Sequence, residues 1–162
     1  KKRNDFKILN ETKALHQKKK DLTKIQIIEF SLLFIILNNL EIASERIEEL
    51  SKIEFISEKN ESLKNAIISS ILEGIDKSSI YTKINSSYKN IIKEINENSN
   101  IQMIVKNKKD EEVANLLDEL LQDHKEQSNL KKIESLEQKL INNLDENSYS
   151  ELIKLKSQLN RD

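Results

Sequence analysis

The stretch that decides the fold is IQIIEFSLLFIILNNLEIA, residues 25–43, the densest apolar run in a chain that is 36% hydrophobic and 34% charged. As a helix, the segment Ile25 to Leu37 would be about 20 Å long, whereas the hydrocarbon core of a bilayer is about 30 Å thick. Glu29 would also place an ionisable group in lipid. The run is therefore predicted to be a buried core helix. Three of its side chains are expected to be buried: Phe30, Leu33 and Phe34.

The composition favours helices throughout. The 162 residues include no Pro and one Gly, Gly74, so the turn residues on which strand-rich folds depend are nearly missing. Cys is absent, which excludes disulfides, thiol catalysis and Cys-ligated zinc. We predict an all-α, antiparallel helical bundle of about six or seven helices around the central apolar helix. Residues 1–162 are predicted to form one domain, with residues 1–20 as a peripheral arm.

Local signals predict where the helices begin and end. Apolar residues recur at helical intervals from Leu22 for more than thirty residues, with a bend expected at Asn38 and Asn39. Asp21 is the predicted cap of this helix and Asn60 of the next one, which is expected to end near Gly74. Later helices are predicted to begin at Ser78 or Ser79, at Asp110, at Ser128 or Asn129, and at Ser148, where Glu151 completes capping-box spacing. Strict heptads do not persist, so a long coiled coil is the second choice.

No catalytic or metal-binding motif is found in the sequence. The histidines, His16 and His124, belong to no ligand pair at helical spacing, and His124 is predicted to lie at a cap or an edge. Adjacent carboxylates, such as Glu48 and Glu49, point about 100° apart on a helix and are interpreted as outward-facing charge. A single glycine also excludes a Gly-rich phosphate loop. The sequence predicts no enzyme, no cofactor, no metal and no small-molecule substrate.

Charge is distributed unevenly along the chain. Residues 1–24 carry nine Lys or Arg against three acids, and residues 110–162 carry seven against thirteen. We interpret this as attraction between a basic entry and an acidic exit. Nucleic-acid binding through the basic arm is a weaker alternative, because three Arg and seven aromatic residues leave little for base reading or stacking.

Two groups of residues are candidates for binding a protein partner. Tyr81 and Tyr88 lie seven residues apart on one predicted helical face, where exposed rings would serve as anchors, and Lys83 lies between them. The second group is the basic corner KNKKD, residues 106–110. The predicted contacts are Tyr81, Lys83, Tyr88, Lys106, Lys108 and Lys109.

The chain contains 24 Lys against three Arg, with 24 Ile and 18 Asn, as an AT-rich genome would encode. With its helical pattern, as in KKKDLTKIQIIEFSLLFIILNNLEIASERIEEL (residues 18–50), this composition resembles the helical outer-surface lipoproteins of Borrelia spirochaetes. The resemblance is one of composition and helix pattern. It implies an upstream lipid anchor, a location on the outside of the outer membrane, and binding of a host protein such as a complement component or regulator.

The first hypothesis is therefore a non-enzymatic, surface-displayed bundle that binds a host protein and acts by occlusion or recruitment. The alternative is an intracellular structural or assembly module that self-associates through amphipathic helices. The oligomeric state and the presence or absence of a serum ligand separate the two.

Overall fold

The computed structural model describes residues 22–98, 101–142 and 145–159, and every regular element within those ranges is a helix. The predicted all-α bundle is confirmed. The helices are α1 Lys24–Asn38, α2 Leu40–Glu45, α3 Ile47–Lys52, α4 Glu58–Leu72, α5 Lys77–Ser87, α6 Lys89–Asn98, α7 Gln102–Val105, α8 Asp110–Asn142 and α9 Glu146–Leu159. The predicted arm, residues 1–20, and the predicted cap Asp21 lie outside the described residues.

Helix α1 is the centre of the bundle and packs against α4, α6 and α8. Because it has neighbours on several sides, it is apolar all round rather than on one stripe. Phe30 and Leu33 are buried as predicted, whereas Phe34 is only half-buried. In the part of the chain that the structure describes, neither α1 nor any other helix has the length and apolarity to cross a membrane.

Helix α1 begins with a reciprocal cap and ends where the sequence predicted a bend. The Thr23 hydroxyl accepts a hydrogen bond from the Gln26 N–H, and the Gln26 side chain accepts one from the Thr23 N–H. At the other end, Asn39 leaves helical geometry. The helix expected to continue beyond it breaks again at Arg46, whose guanidinium pairs with Asp118 of α8 at 2.9 Å.

Helix α4 follows an extended segment, residues 53–57, and does not begin at the predicted residue. Ser57 is its cap, and Asn60 lies inside the first turn with its side chain buried. The prediction for its end is confirmed. Gly74 has φ of +69°, and the N–H groups of Gly74 and Ile75 donate to the carbonyls of Ile71 and Ser70. This is the Schellman arrangement, which favours Gly at the left-handed position.

The helix predicted from Ser78 or Ser79 to the polar run at residues 96–100 is two helices. Asp76 caps α5, because its carboxylate accepts from the Ser79 N–H at 3.1 Å. The helix ends at Tyr88, and α6 then begins at Lys89. Both helices contribute to the main core, in which Ile84 of α5 and Ile95 of α6 are buried.

Helix α8 is continuous from Asp110 to Asn142, so the helix start predicted at Ser128 or Asn129 is wrong. Its 33 residues extend about 50 Å. Ser and Asn are weaker helix formers than Ala by only about half a kcal/mol each, so the strong helix formers around them keep the helix intact.

The C-terminal half of α8 pairs with α9 around a small core of its own. Ile133, Leu136 and Leu152 form this core, apart from the main one around α1. Asp145 caps α9, since its carboxylate accepts from the Ser148 N–H at 3.0 Å; the capping box predicted at Ser148 is not formed.

Candidate functional site: a lysine-lined groove and the buried cluster beneath it

The predicted partner-binding residues fall on separate elements. Tyr81 and Lys83 are exposed on α5, while Lys106, Lys108 and Lys109 are exposed at the junction of α7 and α8. Burial raises the pKa of the Tyr81 hydroxyl, and the charge of Lys77 acts in the opposite direction. Lys108 forms an ion pair with Glu112 at 3.7 Å. Across the described residues, no hydrogen bond, ion pair or ring contact joins the α5 group to the basic corner.

Tyr88 lies between α5 and α6, beside an open depression of about 750 Å³. Its ring is half-buried against the main core, and its hydroxyl lies 3.2 Å from the Ser62 hydroxyl. The depression carries charges of both signs, from Glu58 as well as Lys59 and Lys89. Tyr88 therefore packs at the rim of the core. Unlike Tyr81, it does not present an exposed ring to a partner.

A second groove has a more distinct chemistry. It runs between α8 and the extended segment 53–57, with a volume of about 490 Å³. Phe55 and His124 form its buried floor, and Ile56 stands beside them with 48% of its surface exposed. We call it the α8 groove. Its charged lining consists of Lys52, Glu54, Lys125, Lys131 and Lys132.

Three lysines of the α8 groove come from α8 and line the wall that this helix forms. Lys125 and Lys132 are separated by seven residues, or two helical turns, and Lys131 follows the floor residue His124 by the same interval. All three side chains are exposed. Within the described ranges none of them has a carboxylate within ion-pair distance. The α8 wall therefore presents three exposed lysines, and Glu54 of segment 53–57 is the one acidic side chain in the groove lining.

The opposite wall has its backbone groups turned inward. The N–H of Ile56 donates to Glu29 at 2.5 Å, and the N–H of Phe55 donates to Glu61 at 2.8 Å. The carbonyl of Ile53 accepts from the Lys64 ammonium. Because these groups are already bonded to the protein interior, the groove offers side chains rather than a free strand edge at these positions.

Glu29 anchors this wall from beneath. It lies on α1 with 0% of its surface exposed, and its second oxygen accepts from the Asn60 amide at 2.9 Å. Burial by itself would raise the pKa of Glu29. The neighbouring His124 ring, the Asn60 amide and the Ile56 N–H more than offset that effect, and the pKa lies below its usual value.

Lys64 on α4 is a second buried charge, with 1% of its surface exposed. Its ammonium lies 2.9 Å from Glu61 and 5.1 Å from the centre of the Phe55 ring. Partial burial raises the pKa of Glu61, but the Phe55 N–H and the Lys64 ammonium outweigh it and hold that pKa below its usual value. Lys64 thus ties the extended segment to α4 by charge, hydrogen bonding and ring contact.

His124 completes the buried cluster from α8. The prediction that it lies at a cap or an edge is wrong: it is 1% exposed in the interior of α8, and its ring centre lies 5.3 Å from that of Phe55. Its Nε2 atom lies 3.7 Å from Glu29 and has no hydrogen-bond partner. Both groups are closed to solvent, so we assign them to fixing α1, α8 and the groove floor together. No group of three or more metal-ligating side chains occurs in the described ranges.

Lys125, Lys131 and Lys132 were not predicted as contacts. A helix start predicted at Ser128 or Asn129 placed Lys125 on a different helix from the other two, and the groove wall that they share forms only because α8 is continuous. The exposure of Ile56 could not be predicted from the sequence, because it depends on how Glu29 holds the Ile56 backbone.

Comparison of the chain with protein families, with curated proteins and with solved structures finds no match.

Proposed function

We propose that this protein is a non-enzymatic helical module that binds a protein partner on its outer surface, with the α8 groove as the principal contact. The observation that carries the proposal is a set of three exposed lysines, with no ion-pair partner among the described residues, beside the half-exposed Ile56. Charged side chains around a small apolar centre are the usual composition of a protein interface.

The resemblance to Borrelia surface lipoproteins supports a host protein as that partner, most specifically a complement component or regulator. In this proposal the bundle is held outside the cell by an upstream lipid anchor. It acts by occluding a surface of its partner or by recruiting it, and no bond is made or broken. Tyr81, Lys83 and Tyr88 and the corner of Lys106, Lys108 and Lys109 form the other candidate contacts.

The direct test is retention of serum proteins on the immobilised chain, followed by mass identification and titration with the purified protein that is retained. We expect saturable binding of a complement component or regulator, and a monomeric chain by light scattering. Absence of any serum protein that binds saturably when purified would contradict the proposal.

A second function is favoured by a different surface. On the α8–α9 hairpin Ile141, Tyr149 and Ile153 are 83%, 56% and 51% exposed, which is unusual for large apolar side chains in one small region. These residues support the alternative, self-association as an assembly module. In that case light scattering would show a concentration-dependent oligomer, and Ile153→Glu would abolish it.

A further inference from the structure

We infer that the α8 groove binds an acidic, amphipathic helix of the protein partner, an inference that rests on the proposed function and specifies its ligand. The elements that support it are the charge of the groove, its exposed apolar residue and the occupied backbone of one wall.

The positive charge of the groove favours a negatively charged ligand. Four lysines and one glutamate line it. Lys52 has a carboxylate at 4.0 Å, that of Glu48, but both side chains are largely in solvent, so this pair is weak. Lys125, Lys131 and Lys132 have none among the described residues. A ligand with carboxylates spaced about one to two helical turns apart would meet all three.

The exposed apolar surface selects an amphipathic ligand over a purely charged one. Ile56 is 48% exposed beside the three lysines, and Ile53 next to it is half-buried. Burying Ile56 under an apolar side chain of the ligand would remove that surface from water, which favours binding. Lysine stems can pack over the same side chains while their ammonium groups stay in contact with carboxylates.

The occupied backbone selects a helix over an extended strand. Strand addition needs free N–H and C=O groups along an edge. In segment 53–57 the N–H groups of Phe55 and Ile56 are bonded to Glu61 and Glu29, and the Ile53 carbonyl is bonded to Lys64. Since these three groups are not available to a strand, recognition through side chains is favoured, as for an amphipathic helix in a groove.

The same lining disfavours a nucleic acid. Binding of single strands uses exposed aromatic rings and Arg guanidinium groups beside the positive charges. The groove lining contains no Arg, and its one carbocyclic ring, Phe55, is 6% exposed. Residues 1–24 of this chain are also poor occupants, because they carry nine basic residues against three acids and would meet like charge.

The probe for the test is a fluorescent helical peptide of about 15 residues, long enough to follow α8 from Leu121 to Ser135. One face of this peptide carries Glu and the other carries Leu. A second peptide, with each Glu replaced by Lys, tests the charge of the ligand. Anisotropy titrations would use the whole chain and the triple variant K125E/K131E/K132E. The matched control is K24E/K139E/K154E, which makes the same charge change at exposed lysines outside the groove and outside the other candidate contacts. Circular dichroism would verify helicity of both variants.

We expect the acidic peptide to bind the wild-type chain, to weaken with salt, and to lose about tenfold or more in affinity with the K125E/K131E/K132E variant. The control should change the affinity by about twofold or less, and Ile56→Ser should weaken it without altering the salt dependence. Equal losses in both triple variants, no peptide binding, or tighter binding of a single-stranded DNA of similar length would overturn the inference.

The two proposals fail in distinguishable ways. Serum-protein binding that the K125E/K131E/K132E variant retains would refute the α8 groove as the contact and leave binding of a host protein by another surface standing. Peptide binding through the lysines without any serum ligand would refute the host-protein proposal and leave the groove standing.

Discussion

The carboxylate of Glu29 lies 3.7 Å from Nε2 of His124, and both side chains are closed to solvent in the interior of the bundle. The first belongs to the central helix α1 and the second to the long helix α8. Glu29 also holds the extended segment through the Ile56 N–H. One buried carboxylate thus connects the core to the floor and wall of the α8 groove, and it sets several measurable properties of the molecule.

Replacing Glu29 by Gln should destabilise the fold. The Gln side chain has the size of Glu, but its NH₂ group would face one of the N–H groups from which Glu29 now accepts a hydrogen bond. That buried donor would then be unpaired. We expect a loss of about 2 to 3 kcal/mol in the free energy of unfolding in urea. The exposed Glu48→Gln variant is the matched control and should lie within about 0.5 kcal/mol of wild type. Equal stability of the two variants would show that the Glu29 contacts contribute little.

The contribution of Glu29 should also depend on pH in a defined direction. Its pKa in the folded chain is below the ordinary value of 4.5, so the unfolded chain takes up the proton first as pH falls. The stabilisation is therefore complete above about pH 4.5 and is lost as pH falls through the folded pKa. We expect the stability gap between wild type and Glu29→Gln, measured by urea unfolding, to shrink below that pH. A stability difference between the two proteins that stays constant or increases in acid would contradict this prediction.

Lys64 and Glu61 should be energetically coupled. Lys64→Met keeps the volume of the side chain but leaves the Ile53 carbonyl and the Glu61 carboxylate without the ammonium. A double-mutant cycle with Glu61→Gln should give a coupling free energy of about 1 to 2 kcal/mol.

The exposed pair Lys93 and Glu97, at 3.8 Å, provides the matched cycle. Its coupling should be below about 0.5 kcal/mol, because both side chains are largely in solvent. If the two cycles give the same coupling, burial of Lys64 adds nothing to its ion pair.

The two apolar cores should respond separately to the same substitution. Leu33 is 0% exposed in the main core, so Leu33→Ala should cost about 2 to 5 kcal/mol and lower hydrogen-exchange protection across the bundle. Leu152→Ala in the small core should release protection in α9 while α1 keeps its own. Loss of α1 protection in the Leu152 variant would indicate that the hairpin and the bundle unfold as one unit.

The helical architecture could be predicted from the sequence because its strongest pattern, the apolar run, forms the helix around which the bundle packs. Within the apolar run, the segment Ile25 to Leu37 is too short to span a bilayer and contains Glu29. Burial on several sides was the remaining solution, and α1 adopts it. Gly74 was predicted well because its left-handed backbone favours glycine. Asn39 was predicted well because an Asn side chain can bond to the backbone at a helix end, as its amide does to the Ile35 carbonyl at 3.1 Å.

Helix starts were predicted less well, because several side chains near each start can cap it. Ser57, Asp76 and Asp145 are the actual caps, each close to a predicted one. Asn60 was the clearest error: its amide is used in the interior as a donor to Glu29, and that tertiary demand is invisible in local sequence. The candidate groove was not predicted for a similar reason. A helix start assigned at Ser128 or Asn129 divided its three lysines between two helices, whereas α8 is continuous.

The most direct test of the central claim is capture of serum proteins, side by side, on three immobilised chains: wild type, K125E/K131E/K132E and K106E/K108E/K109E. If the α8 groove is the principal contact, the wild type and the second triple variant retain the same complement component or regulator, and the first triple variant loses it. Retention by the first variant with loss by the second would place the interface at the α7–α8 corner and contradict the account.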